Sequence, residues 1–147
     1  MKGMRSLSHT LDILRSSGIR ITPQRLAVYE SIAVLDHPAA DDIYENLRGV
    51  YPAMSVATVY NTVERLVQEG LVHVIAINGK RRYDFRLEHH DHLLCQQCHR
   101  LEDFPDDLSP LGNANSREVS ADDGMWAINR QTVIWEGICP KCMNGRP

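Results

Sequence analysis

Apolar residues recur at helical spacing through the first half of the chain and lose that spacing in the second. In "SLSHTLDILRSSG" they fall at Leu7, Leu11 and Leu14, and Gly18 marks the stop. "TPQRLAVYESIAVL" opens with Thr22 in the N-cap place and Pro23 at the first helical position. Its apolar face is Leu26, Val28, Tyr29, Ile32 and Ala33. "PAADDIYENLRGV" predicts a third helix, with Pro38 near its start, acids in its first turn, and Ile43 and Leu47 on one face. "SVATVYNTVERLVQEG" carries the clearest stripe, Val56, Val59, Val63, Leu66 and Val67, capped by Ser55 and ended by Gly70. Next, "LVHVIAINGKRRYDF" places strand-like runs on either side of Asn78-Gly79, the strongest short hairpin signal. Helices followed by a hairpin are the plan of a winged helix. The fourth helix would be its recognition helix and the hairpin its wing.

After residue 85 the apolar mass thins out. "HDHLLC" and "RLEDF" are short and strand-like. "PDDLSPLGNANSREVSADDG" predicts a polar loop with at best one short helix, and "MWAINRQTVIWEGIC" a long β-rich run. A unit this poor in apolar residues needs a metal staple, a partner chain, or both. The boundary falls near residues 84 to 88, so residues 1–84 are read as one domain and 85–147 as another, in an α+β chain.

At 147 residues the chain has room for one ordinary domain or two small ones. It has no apolar run long enough to span a membrane. "MKGMRSLSHTLDILRSSG" lacks the continuous apolar core of a signal peptide, so a cytoplasmic location is expected. The net charge of −3 is unevenly spread: residues 1–83 hold 10 Lys+Arg against 8 Asp+Glu, and residues 84–147 hold 6 against 11. A front half of +2 tolerates DNA, and a back half of −5 suits metals.

All four cysteines sit in CxxC pairs, Cys95/Cys98 and Cys139/Cys142, with 40 residues between the pairs. In a reducing compartment two such pairs read as a closed structural zinc site of four thiolates. The alternatives are buried unpaired thiols and a thioredoxin-like couple. The second lacks its context, since neither CxxC opens a helix in a βαβ unit. With the thiols used, the histidines of "HHDH" need another explanation. On a strand, His90 and His92 point the same way and form a chelating pair, while His89 and Asp91 face the other side. Asp84, Asp103 and His37 are candidate co-ligands, though a lone His or Asp is more often a cap or a solvated group. Imidazoles and carboxylates together form a hard-leaning sphere that suits Fe(II) or Mn(II).

The polar side of the fourth helix offers Ser55, Thr58, Tyr60, Asn61, Thr62 and Arg65, suited to base edges and phosphates. Lys80, Arg81 and Arg82 of the hairpin add phosphate contacts. The competing reading is a solvated face on an ordinary amphipathic helix. Two other classes compete for the whole chain. A metal-dependent hydrolase built on His90-x-His92 would lack an evident general base. A zinc-stapled interaction domain would show no salt-dependent DNA affinity.

Taken in order, "GIRITPQRLAVYESI", "HPAADDIYENL", "YPAMSVATVYNTVERLVQEGLV", "RRYDF", "HHDHLLCQQC" and "GICPKC" resemble the ferric uptake regulator family of bacterial transcription factors over nearly the whole chain. The resemblance implies a winged-helix DNA-binding domain joined to a small α/β dimerisation domain stapled by a four-cysteine zinc site. It implies a metal-dependent repressor that binds a palindromic operator in double-stranded DNA as a homodimer. DNA-contacting positions would be Ser55, Thr58, Tyr60, Asn61, Arg65, Lys80 and Arg81. It further implies a regulatory Fe(II) or Mn(II) held by His37, Asp84, His90, His92 and Asp103. Asp103 stands where peroxide sensors of the family tend to carry Asp and iron-uptake regulators Glu. The chain has no fifth cysteine for a thiolate sensory site and no histidine after His99 for a further metal site. The resemblance therefore favours the peroxide-stress subgroup, with His37 and His90 the histidines open to oxidation. An iron- or other metal-uptake regulator is the alternative. The chain departs from the family pattern at His99, where glycine is usual, in "NRQTVIWEGIC", and in its helix-poor segment 106–124.

Overall fold

The computed structural model describes residues 7–108 and 117–145, with side chains from residue 9 and, after the gap, from residue 118. Part of the expected polar loop, 109–116, and the side chain of Leu7 lie outside the described residues. The chain divides into two compact units, Met1–Leu87 and Glu88–Pro147.

The first unit holds α1 (Leu7–Ser16), α2 (Pro23–Leu35), α3 (Ala40–Leu47), α4 (Val56–Gln68), β1 (His73–Ile77) and β2 (Lys80–Asp84). Local chemistry sets the helix ends. Thr22 Oγ1 accepts the Arg25 N–H at 3.2 Å ahead of Pro23, and Ser55 Oγ accepts the Thr58 N–H at 3.1 Å. Asp42 reaches back to the Ala39 N–H at 2.8 Å, so α3 is capped by its third residue and not by its N-cap. At the far end of α4, Gly70 is left-handed, and the bonds Leu71 N–H to Leu66 O and Gly70 N–H to Val67 O close a Schellman motif. Asn78 and Gly79, both left-handed, make the two-residue turn that pairs Ile77 with Lys80. Val28, Ile32, Ile43, Val59, Val63, Leu66, Val72 and Tyr83 fill the core. Val56, expected in the buried stripe, is 40% exposed.

In the second unit, β3 (His92–Cys95) is the centre of a three-stranded sheet, antiparallel to β4 (Leu101–Asp103) and parallel to β7 (Ile134–Gly137). A single 3-10 turn spans Asp106–Leu108, and α5 (Pro140–Met143) follows β7. A separate hairpin joins β5 (Arg117–Ala121) to β6 (Gly124–Ile128). That hairpin corrects the loop expected over this stretch. Glu118, Val119, Ser120 and Ala121 are all exposed, so no buried face gives an alternating signal there, and the strand comes from pairing with β6. The β-rich run also breaks into two strands in different sheets.

Candidate metal centres and nucleic-acid interface

Sheet register assembles the first centre. Parallel pairing sets Cys95 opposite Gly137, and Gln96 N–H bonds the Gly137 carbonyl at 2.8 Å, which carries Cys139 to the knuckle after β3. Ligand atoms of Cys95, Cys98, Cys139 and Cys142 all lie within 4.8 Å of one another. Cys98 Sγ and Cys139 Sγ are 3.8 Å apart. A tetrahedron with metal–sulfur bonds of about 2.3 Å has edges of roughly 3.8 Å, so the four thiols fit zinc. The Cys139 N–H donates to Cys95 Sγ at 3.3 Å. Backbone N–H groups of Cys98 and then Cys139 draw the Cys95 thiol down to about 6. Desolvation, then the surrounding sulfurs, push Cys142 up to about 12. One thiolate forms readily, whereas the last needs a cation to share its charge. His99 closes the knuckle with φ +60°, in the left-handed region that glycine adopts without strain.

Three further histidines, His37, His90 and His92, stand in two half-sites, one in each unit. In the first unit, α2 ends in two successive left-handed residues, Asp36 and His37. They turn the His37 imidazole inward, and Arg82 Nη1 and the Tyr83 N–H hold the loop through the His37 and Pro38 carbonyls. His37 Nδ1 lies 2.8 Å from Asp36 Oδ1, and Nε2 lies 3.6 Å from Asp84 Oδ2. The other Asp84 oxygen accepts the Arg86 N–H. The second unit repeats the pattern. His90 Nδ1 meets the Glu88 carbonyl at 2.8 Å, and Nε2 lies 3.2 Å from Asp103 Oδ1. The Glu88 carbonyl only accepts, so His90 Nδ1 carries a proton there, whereas the His37 Nδ1–Asp36 approach is a close contact and not a hydrogen bond. Nε2 of each ring is turned toward a carboxylate oxygen. A buried imidazole nitrogen and carboxylate oxygen set toward each other hold a cation, proton or metal, and an outer acceptor on Nδ1, as at His90, is how metal-ligating imidazoles are oriented. His92 sits opposite Asp103 across β3–β4, its ring 4.5 Å from that of His90. All these donors are nitrogen or oxygen, so the half-sites fit a hard or borderline divalent ion.

His89 and Asp91, assigned no ligand role, belong to a different arrangement. The fully buried Asp91 carboxylate accepts the Trp135 indole N–H at 3.0 Å, with His89 Nε2 3.5 Å from its other oxygen. Residues 89–91 precede the strand. The facing of the two pairs thus comes from the bend and the indole, and not from strand alternation.

The proposed DNA contacts lie on α4 and the hairpin. Tyr60, Asn61, Arg65, Lys80 and Arg81 are exposed. The Ser55 hydroxyl caps α4 and lies 2.9 Å from that of Thr58. Arg65 pairs with Glu69 at 2.6 Å, and Arg81 with Glu64 at 2.5 Å. Two expectations need correction. Thr62 is buried, its hydroxyl donating to the Thr58 carbonyl, because it lies on the core side of the stripe. Arg82 alternates with Arg81 to the other face of β2 and holds the His37 carbonyl. Arg20, Gln24 and Arg25, given no role from sequence, line a polar cavity of about 340 Å³ with Thr22, Thr58 and Asn61. The available signal was the α2 first turn, which lacks acids and holds an arginine.

No helix among the described residues is long and apolar enough to cross a membrane. The model of the ferric uptake regulator family matches residues 16–126. The chain is 42% identical over 138 residues to the peroxide operon regulator of Bacillus subtilis strain 168, covering 92% of each. It is 38% identical over 140 residues to the peroxide-responsive repressor PerR of Staphylococcus aureus strain Mu50, covering 94% of this chain and 92% of that one. The crystal structure of the Campylobacter jejuni peroxide stress regulator superposes with a TM-score of 0.61 at 27% identity, over 95% of this chain and 100% of that one. The family is one of regulators and not of enzymes, and the chain belongs to the ferric uptake regulator family.

Proposed function

We propose that the protein is a metal-dependent DNA-binding repressor that senses peroxide. The observation that carries this reading is the repeated half-site, an imidazole with its Nε2 turned toward a carboxylate oxygen, at His37/Asp84 and at His90/Asp103. In this reading His37, Asp84, His90, His92 and Asp103 hold one regulatory Fe(II) or Mn(II), and Cys95, Cys98, Cys139 and Cys142 hold structural zinc. The names of the relatives from B. subtilis and S. aureus support peroxide as the signal.

The first unit binds DNA, through Ser55, Thr58, Tyr60, Asn61 and Arg65 on α4 and Lys80 and Arg81 on the hairpin. Arg20 and Arg25 add cations beside them. The second unit forms the homodimer, which addresses a palindromic operator in the cytoplasm. Metal binding raises operator affinity because the ligands come from both units and favour the DNA-competent form, with a typical coupling of ~1–3 kcal/mol. Fe(II), when bound, would supply the redox chemistry that Mn(II) does not. The net change would be one peroxide and one ligand imidazole, His37 or His90, giving one 2-oxo-histidine and one water, and the oxidised ring would ligate poorly, so that the repressor leaves DNA.

The test is a gel shift on a palindromic duplex selected by the protein from a random pool, with protein loaded separately with Fe(II), Mn(II) or Zn(II). Binding should require metal, and peroxide should abolish it for the Fe(II) form and spare the Mn(II) form. An Fe(II) form that still binds after peroxide would point instead to an iron-uptake regulator.

A further inference from the structure

Tyr60 stands on the exposed side of α4 with 44% of its surface open. A free phenol there could donate to a phosphate oxygen or accept from a base, and so would read little. Its hydroxyl instead donates to Asp41 Oδ1 at 3.3 Å, in the first turn of α3. A phenol has one proton to give. With that proton on Asp41, the oxygen presents only lone pairs. These are repelled by phosphate oxygens and match the amino groups that adenine and cytosine present in the major groove. The Asp41 carboxylate adds its own repulsion toward the phosphate backbone.

An acid in this place has an ordinary explanation, the favourable field of a helix N-terminus. Asp42 already fills that role and caps the Ala39 N–H. Asp41 is bonded across to α4. Its charge, the largest influence on the phenol, holds Tyr60 above the ordinary value, so the proton stays in place.

We infer that Asp41 is a specificity-determining positioning residue: by taking Tyr60's one proton it makes that side chain an acceptor for base amino groups, closed to phosphate. This rests on the reading of α4 as the DNA-reading helix. The test uses the full-length, zinc- and Mn(II)-loaded protein and two duplexes. One is selected by the wild type from a random pool, and the other is a shuffle of the same composition.

Asp41→Ala should weaken the selected duplex about tenfold and leave the shuffled one unchanged or tighter. Asp41→Asn keeps an acceptor and should keep the preference. Tyr60→Phe should match Asp41→Ala, and the double variant should lose no more than either. Asp42→Ala should lower the melting temperature without changing the ratio between duplexes. Equal effects of Asp41→Ala on both duplexes, or additive losses in the double variant, would overturn the inference while leaving DNA binding intact. A wild type that selects no duplex would overturn the DNA reading itself.

Discussion

The first unit buries Val28, Ile32, Ile43, Val59, Val63 and Leu66 at its centre, while the buried positions of the second, among the described residues, are Leu94, Cys95 and Leu101 with His90, Asp91 and His92. Half of the second set is polar, and the apolar part includes a metal ligand. The same unit leaves Met125, Trp126, Trp135 and Ile138 exposed. A buried aliphatic side chain contributes roughly 1.5–3 kcal/mol, and ordering each residue costs roughly 1–2 kcal/mol. Apolar burial can order the first unit but not the second. The second unit's order therefore depends on a metal staple, a partner chain, or both, and the proposed regulatory ligands divide between the well-packed unit, with His37 and Asp84, and the thinly packed one, with His90, His92 and Asp103.

The sharpest way to break this contrast is to take the zinc away. Cys142→Ser, or exhaustive chelation, should remove on the order of 10 kcal/mol of folding free energy from the second unit. Amide exchange would then show β3, β4 and β7 unprotected and α2 to α4 still protected. Sustained protection in β3 and β7 would mean that packing suffices there. A cavity in the first unit should do the reverse. Ile32→Ala should cost about 2–5 kcal/mol in denaturant titrations followed through the helices, with zinc content unchanged. Ser55→Ala should cost the first unit about 1 kcal/mol through the lost cap of α4, seen as a small shift of the same transition. The smallest effect should come from His99→Gly. Relieving a left-handed side chain at the zinc knuckle should stabilise the second unit by up to ~1 kcal/mol, read as slower zinc loss to a chelator. Faster loss would mean that the His99 side chain contributes more than its backbone conformation costs.

What was legible in the sequence follows the range of the causes. Thr22, Ser55, Gly70 and Asn78-Gly79 act within a few residues, and each does in the structure what its type suggests. The zinc set was legible because cysteine spacing is itself the geometry. His90 and His92 were legible as a pair, although a bend ahead of β3 shares in setting their direction. His37 and Asp84 are 47 positions apart, so the pattern offered them only as candidate co-ligands, and the resemblance named them as ligands. What joins them is a double left-handed turn at Asp36 and His37 that no local rule demands. Strand β5 escaped notice because a polar, exposed strand has no period to read. The parallel pairing of β3 with β7, about forty residues away, leaves no local trace either.

The most direct measurement is peptide mass spectrometry of the Fe(II)-loaded and Mn(II)-loaded protein after peroxide, alongside DNA binding on the same samples. One added oxygen on the peptides holding His37 or His90 is expected in the Fe(II) form alone, together with release of DNA. An Fe(II) form that gains no oxygen on either peptide and keeps its DNA would contradict the account.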